Sequence, residues 1–236
     1  MGETGTSGVI EVTDIAFDVA DVLPGAILVE NNIAGRNPGD VGLWDSHFRA
    51  GGTAGSAVET KCGSYPPHIA DCKAAFMFLH LRPESSTYME SVWGWSVNRD
   101  LDGLTGQTNG TSQSIAVGRG MLIESTQGTW LVGTAFEHFV LYQYQLVNAG
   151  NVFSLMAQTE TVYWQPSPPA PAPWMLVPLL TTANSCYSLV YSQSFSLDQI
   201  QNISIPTILI ATAHLHSVTW AGLYALLEVM TSLSMV

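Results

Sequence analysis

From residue 9 to residue 160 the apolar residues come in short bursts, and none of them holds a helical period for the length of an ordinary helix. The bursts are VIEV (9–12), AILV (26–29), GLWDSHF (42–48), AAFMFLHL (74–81), YMESVWGW (88–95), QSIAV (113–117), MLIES (121–125), TWLVGTA (129–135), FVLYQYQLV (139–147) and VFSLMAQTE (152–160). They are rich in β-branched and aromatic residues, and several alternate apolar with polar, which suits strands packed on one face. Turn-forming pairs such as Pro-Gly, Asp-Gly and Asn-Gly lie between them. The pattern predicts an all-β fold. A sandwich, a barrel and a parallel β-helix all satisfy it. The uneven spacing of the bursts suits the β-helix, in which each coil need only stack on its neighbour.

Charge narrows the function. The 236 residues carry 19 Asp and Glu against 7 Lys and Arg, a net charge of −12. Nucleic-acid binding needs basic surface to displace counterions, so that class is excluded, as is a polybasic grip on anionic lipid. Hydrophobic residues make up 47 % and charged residues 11 %, which excludes a disordered chain. No Lys or Arg follows Arg119, and only Glu124, Glu137, Glu160, Asp198 and Glu228 are acidic there.

The N-terminal MGETGTSG has neither the basic nor the apolar region of a signal peptide. QPSPPAPAP at 165–173 dictates extended polyproline II and divides the chain. Residues 1–173 are expected to be a partial β-helix domain and 174–236 an atypical apolar C-terminal segment. Within the latter, Thr207–Leu227 has no formal charge and is long enough to span a bilayer. His214, His216, Ser217, three threonines and the lack of a basic flank argue against a span.

There is no GxSxG elbow, no HExxH and no P-loop, and Gly118-Arg-Gly120 is half of a dinucleotide fingerprint. His214-x-His216 lacks a third ligand. Neither a metal nor a cofactor is expected. Asn109-Gly-Thr111 and Asn202-Ile-Ser204 are glycosylation sequons. Cys62 and Cys72 flank a Pro-Pro loop. A loop-closing disulfide is the expected state, with two buried thiols the alternative.

The carboxylates Glu137 and Glu160 lie twenty-three residues apart in strongly apolar bursts. One coil of a stacked β architecture takes on the order of 20–30 residues, so the spacing predicts that both share a face of adjacent coils. Burial raises a carboxyl pKa, and a pair so placed suits glycosidic cleavage. Tyr163-Trp164-Gln165 beside Glu160 supplies rings for sugar stacking. Asp100-x-Asp102 is a second carboxylate pair, in a sequence that also reads as a turn.

PGDVGLWDSHFRAGGTAG (38–55), CKAAFMFLHL (72–81), ESVWGWSVNRDLDG (90–103), GRGMLIES (118–125), TWLVGTAFEHFVLYQYQLVNAGNVF (129–153) and MAQTETVYWQP (156–166) together resemble glycoside hydrolase family 55. Its members are exo- and endo-β-1,3-glucanases. The resemblance spans about residues 20–174 and implies a right-handed parallel β-helix of the pectate-lyase-3 type. It corresponds to the second of two such domains and implies an extracellular setting. The family's QTE-x-x-Y motif falls on Gln158, Glu160 and Tyr163, and implies that Glu160 is the general acid and Tyr163 a sugar contact. The SEH motif falls on Glu137 and His138, with Phe136 in place of Ser. Gln158, His138 and Trp164 are expected to line the sugar site beside them. After the tryptophan-containing strand the chain reads SVNRDLD where the family has AD-x-DLD. The family inverts at the anomeric carbon, with the attacking water held by the first domain, which has no counterpart in this chain. The resemblance therefore implies a β-1,3-glucan hydrolase, inactive or weak as this fragment. An inert carbohydrate-binding β-helix is the alternative.

Overall fold

The computed structural model describes residues 1–62, 72–99, 101–102, 113–163, 172–174, 200–201 and 209–212. The expected masses of β-structure are there, in three parallel sheets. β1 (Ile10–Thr13), β4 (Val41–Trp44), β7 (Thr87–Glu90), β10 (Thr129–Val132), β13 (Val152–Ala157) and β15 (Leu209–Thr212) form the first. The second holds β2 (Ala16–Asp18), β5 (His47–Ala50), β8 (Trp93–Ser96) and β11 (Ala135–Glu137). The third holds β3 (Ile27–Asn31), β6 (Lys73–Leu81), β9 (Ala116–Ile123), β12 (Tyr142–Val147) and β14 (Ile200–Gln201). From β1 to β13 each strand pairs with the one three places on, so the chain visits all three sheets once per turn. That is the winding of a parallel β-helix. The short helix α1 (Ala57–Cys62) is the single helix among the described residues.

One corner recurs. Between the first and second sheets the chain turns through two residues: Asp14-Ile15, Asp45-Ser46, Ser91-Val92 and Gly133-Thr134. The first of each pair has a left-handed backbone, with φ of 56°, 47°, 54° and 62° in turn. Asp and Ser tolerate that conformation less well than Gly but better than branched residues. The backbone ladder runs through the corner: Asp14 N–H donates to the Trp44 carbonyl, Asp45 to Glu90, Ser91 to Val132 and Gly133 to Leu155. The first amide of each bend is therefore satisfied by the next coil.

Inside the coils lies an aromatic stack. Phe17 and Phe48 stack at 4.9 Å, Phe48 meets Phe78 at 6.3 Å and Phe136 at 5.9 Å, and Phe78 meets Phe139 at 4.9 Å. Phe48, Phe78 and Phe136 are fully buried. Gly94 pairs with both Phe48 and Phe136 in the second sheet. A Cβ there would lie 2.8 Å from the Phe136 ring, so glycine is what lets the rings close over β8. Inward Gly94 leaves its neighbours Trp93 and Trp95 on the other face, as strand alternation requires.

Cys62 and Cys72 are carried as two buried thiols rather than as a bond. They are close enough for their side chains to hydrogen-bond, and burial followed by that contact pushes the Cys62 thiol well above its ordinary range. Among the described residues no helix is long and apolar enough to cross a membrane. Most of 207–227, both sequons, Cys186, His214 and His216 lie outside the described residues.

Candidate active site

The outer face of the second sheet carries the chemistry. Trp93 and Trp95, two apart on β8, stack at 4.0 Å with planes 11° apart. His47, which pairs with Trp93 one coil away, meets both rings edge-on at 6.2 and 6.1 Å. Trp93 is 38 % exposed. Its indole N–H donates to Glu137 Oε2 at 3.1 Å.

Glu137 ends β11 and is buried. Loss of hydration raises its carboxyl pKa to about 7, the Trp93 hydrogen bond opposes the rise, and the Glu160 charge adds to it. The next residue, His138, has a left-handed backbone. That turns its ring back beside Glu137 instead of through to the opposite face. His138 N–H donates to the Glu160 carbonyl at 2.9 Å, and its Nδ1 lies 2.5 Å from the Thr161 carbonyl. A carbonyl only accepts, so Nδ1 carries the proton. Burial lowers the His138 pKa, while the Thr161 bond and the Glu160 charge oppose the fall. Nε2 of this ring lies 3.7 Å from Glu160 Oε2 and 3.9 Å from Glu137 Oε2.

The expected sharing of a face by Glu137 and Glu160 is thus found. Ala135 bridges Gln158 in parallel register, and the same offset carries Glu160 beside Glu137. Gln158 Nε2 donates weakly to Glu160 Oε1 at 3.4 Å. Tyr163 stacks on His138 at 3.8 Å with planes 25° apart and is 50 % exposed. Burial and then the charges of Glu160 and Glu137 push its hydroxyl pKa up, against Arg99. Trp164 lies outside the described residues.

One expectation is corrected. Glu160 was expected in apolar surroundings, but its side chain is 54 % exposed. It lies three residues beyond the end of β13. Glu137 is the carboxyl that burial perturbs. Asp102 of the second carboxylate pair instead meets Arg49 Nη2 at 2.9 Å, with Asp18 on the same guanidinium at 3.1 Å. Asp100 lies outside the described residues. Among the described residues no three His, Cys, Asp or Glu groups converge as a metal site. The hydrogen bond from Trp93 to Glu137 spans two adjacent coils and was not read from the sequence. Its one signal was Trp-Gly-Trp, two outward rings around an inward glycine.

No family model matches the chain. It is similar to the "Non-secreted LysM effector LysM15" of Penicillium expansum, with 42 % identity over 177 residues, 74 % of this chain and 12 % of that protein. It is also similar to the "Probable glucan endo-1,3-beta-glucosidase" of Arthroderma benhamiae, with 40 % identity over 180 residues, 74 % of this chain and 20 % of that protein. The "Glucan 1,3-beta-glucosidase" of Cochliobolus carbonum is 33 % identical over 178 residues, 74 % of this chain and 22 % of that protein. The chain thus spans a fifth or less of the first two of these relatives and little more of the third, and over most of its own length it is similar to fungal proteins, two of them named as β-1,3-glucosidases.

Proposed function

We propose that this face is part of the active site of an inverting β-1,3-glucan hydrolase of glycoside hydrolase family 55, built on a right-handed, pectate-lyase-type β-helix. The observation that carries the reading is the convergence of Glu137 and Glu160, from adjacent coils, on the single Nε2 of buried His138. The stacked Trp93–Trp95 pair beside them offers a flat apolar surface for a pyranose ring. The similarity to two proteins named as glucan 1,3-β-glucosidases supports the substrate class.

In this reading Glu160 is the proton donor. Its exposed carboxyl can touch a glycosidic oxygen, whereas buried Glu137 cannot. Neutral His138, with its proton on Nδ1, offers Nε2 as an acceptor to a carboxylic acid. Glu137, raised to about 7, itself holds a proton in mildly acidic solution. The site thus stores a proton next to the exposed carboxyl that reaches the substrate. Tyr163 and Gln158 position the sugar and the acid. Inversion needs a water on the far side of the sugar, with the two poles about 6.5–9.5 Å apart. In this reading that pole is held by a first β-helix domain, without which residues 1–236 turn over slowly or not at all. An extracellular setting belongs to the same proposal.

The test is β-1,3-glucan oligosaccharide binding by calorimetry together with reducing-end release, for the chain and its Glu160→Gln variant. Binding with turnover that falls about 10²–10⁴-fold in Glu160→Gln supports the donor. Binding without turnover, regained when the first domain of a relative is added, supports the split site. Binding that no added domain converts to turnover supports the inert carbohydrate-binding alternative. No binding by the chain overturns the reading.

A further inference from the structure

Away from the carboxylate pair, the third sheet holds a cluster of cations and rings. The Arg119 guanidinium carbon lies 4.2 Å from the centroid of Phe76 and 5.5 Å from that of Tyr142. Trp174 meets Phe76 edge to face at 5.6 Å, and Lys73 Nζ lies 5.4 Å from the Trp174 ring. Trp174 settles onto the strand because residue 118 is glycine. A Cβ there would lie 3.3 Å from the indole and 2.7 Å from the Phe76 carbonyl.

Two features of the cluster call for an acceptor. Arg49, Lys61 and Arg82 each meet a carboxylate. Lys73 and Arg119 meet none among the described residues, in a chain with 19 acids to draw on. Moreover, Arg119 Nε, Tyr142 Oη and Trp174 Nε1 are buried with no hydrogen-bond partner, and Tyr142 is only 8 % exposed. Buried polar hydrogens without acceptors are disfavoured and uncommon. The guanidinium and indole N–H groups can only donate. Burial pushes the Tyr142 hydroxyl pKa up, so it too remains a donor. The acid whose charge reaches this cluster, Glu124 acting on Tyr142, is itself bonded to His80, and three donors with two cations match an acceptor that carries negative charge.

We propose that Lys73, Arg119, Tyr142 and Trp174 form a binding site for an oxyanion, a carboxylate or phosphate group borne by a small ligand. A neutral glucan cannot supply the charge, so the site serves a ligand other than the glucan chain and does not depend on the hydrolase reading. Cation–π contacts hold the guanidinium against Phe76 and Tyr142.

Calorimetry on the full chain at constant ionic strength tests this, with inorganic phosphate, glucuronate and neutral glucose as titrants. Binding of phosphate alone identifies a phosphate site, of glucuronate alone an acidic-sugar site, and of both a general oxyanion site. Each is expected to weaken about tenfold or more in Lys73→Gln and in Trp174→Phe, which keeps a ring but removes the indole donor. Arg119→Lys keeps the charge and loses the fork, and is expected to weaken binding as well. Lys73 is partly exposed, so its variant tests the site even where Arg119→Lys does not fold. No binding of either anion, binding of glucose equal to that of glucuronate, or full affinity in Lys73→Gln and Trp174→Phe would each overturn the proposal.

Discussion

Phe48 and Phe136 belong to coils that do not touch in the second sheet, yet their ring centroids are 5.9 Å apart, because the strand between them presents Gly94 at that register. The interior is continuous there only while residue 94 has no side chain. Both rings are fully buried and hemmed by Phe17, Phe78 and Phe139. Neither can swing away.

Gly94→Ala is therefore expected to destabilise the fold by about 1–3 kcal/mol, the usual cost of overfilling a packed core. A denaturant midpoint that falls at unchanged slope is the outcome sought. An unchanged midpoint would show that the stack can part.

The corner makes a different prediction, because space is not the constraint there. A Cβ on Gly133 would meet nothing nearer than the Ser91 nitrogen at 3.9 Å, but its φ is +62°. Gly133→Val is expected to cost about 1–2 kcal/mol from backbone conformation alone. Gly133→Asn is expected to cost less, since Asn enters that region more readily. Equal losses in the two variants would mean that sterics, not φ, govern the site.

Glu137 sets a pH dependence whose sign is fixed by the direction of its shift. The carboxyl is raised from an ordinary 4.5 to about 7 in the fold. The folded state then binds a proton that the unfolded chain has released, so stability falls as pH rises between those values. Below about 4.5 the contribution is fully present, and above about 7 its loss is complete. Glu137→Gln removes this slope. The difference in unfolding free energy between the native chain and the variant should change by roughly 3 kcal/mol from pH 4 to pH 8, with the variant gaining relative ground at high pH. Denaturant melts of both proteins across that range give the answer, and parallel curves would contradict it.

Trp93→Phe removes the one hydrogen bond that favours ionised Glu137 while keeping a ring on the Trp95 face. The Glu137 carboxyl is expected to titrate at still higher pH, observed by carbon-detected NMR of the labelled side chain. A downward shift would mean that water entering the gap outweighs the lost bond.

The strand content was legible because β-branched and aromatic bursts survive in any all-β architecture, and the adjacency of Glu137 and Glu160 was legible because their spacing equals one coil. The corners were not. GLWDSHF, YMESVWGW and TWLVGTA each read as one burst, yet each crosses from the first sheet to the second at Asp45, Ser91 or Gly133. A single polar residue in a left-handed conformation looks, in sequence, like one beat of strand alternation. The exposure of Glu160 was hidden for a related reason. Apolar neighbours in the chain say which face of a strand is wet, but not where the strand ends, and Glu160 lies three residues past β13. Nor could the link between Trp93 and Glu137 be read, since the intervening chain runs through two other sheets before it returns.

The recurrence of a two-residue corner sorts where this architecture accepts change. β1 to β2, β4 to β5, β7 to β8 and β10 to β11 are joined with identical length, whereas the chain from β5 to β6 runs from Ala50 to Lys73 and that from β11 to β12 only from Glu137 to Tyr142. Variation in length is thus confined to other edges of the prism, chiefly where the second sheet passes to the third. Residues can be gained or lost there without disturbing the alignment of one turn upon the next. A lineage could in this way remodel the rim beside the carboxylates while the column that carries them stays in step.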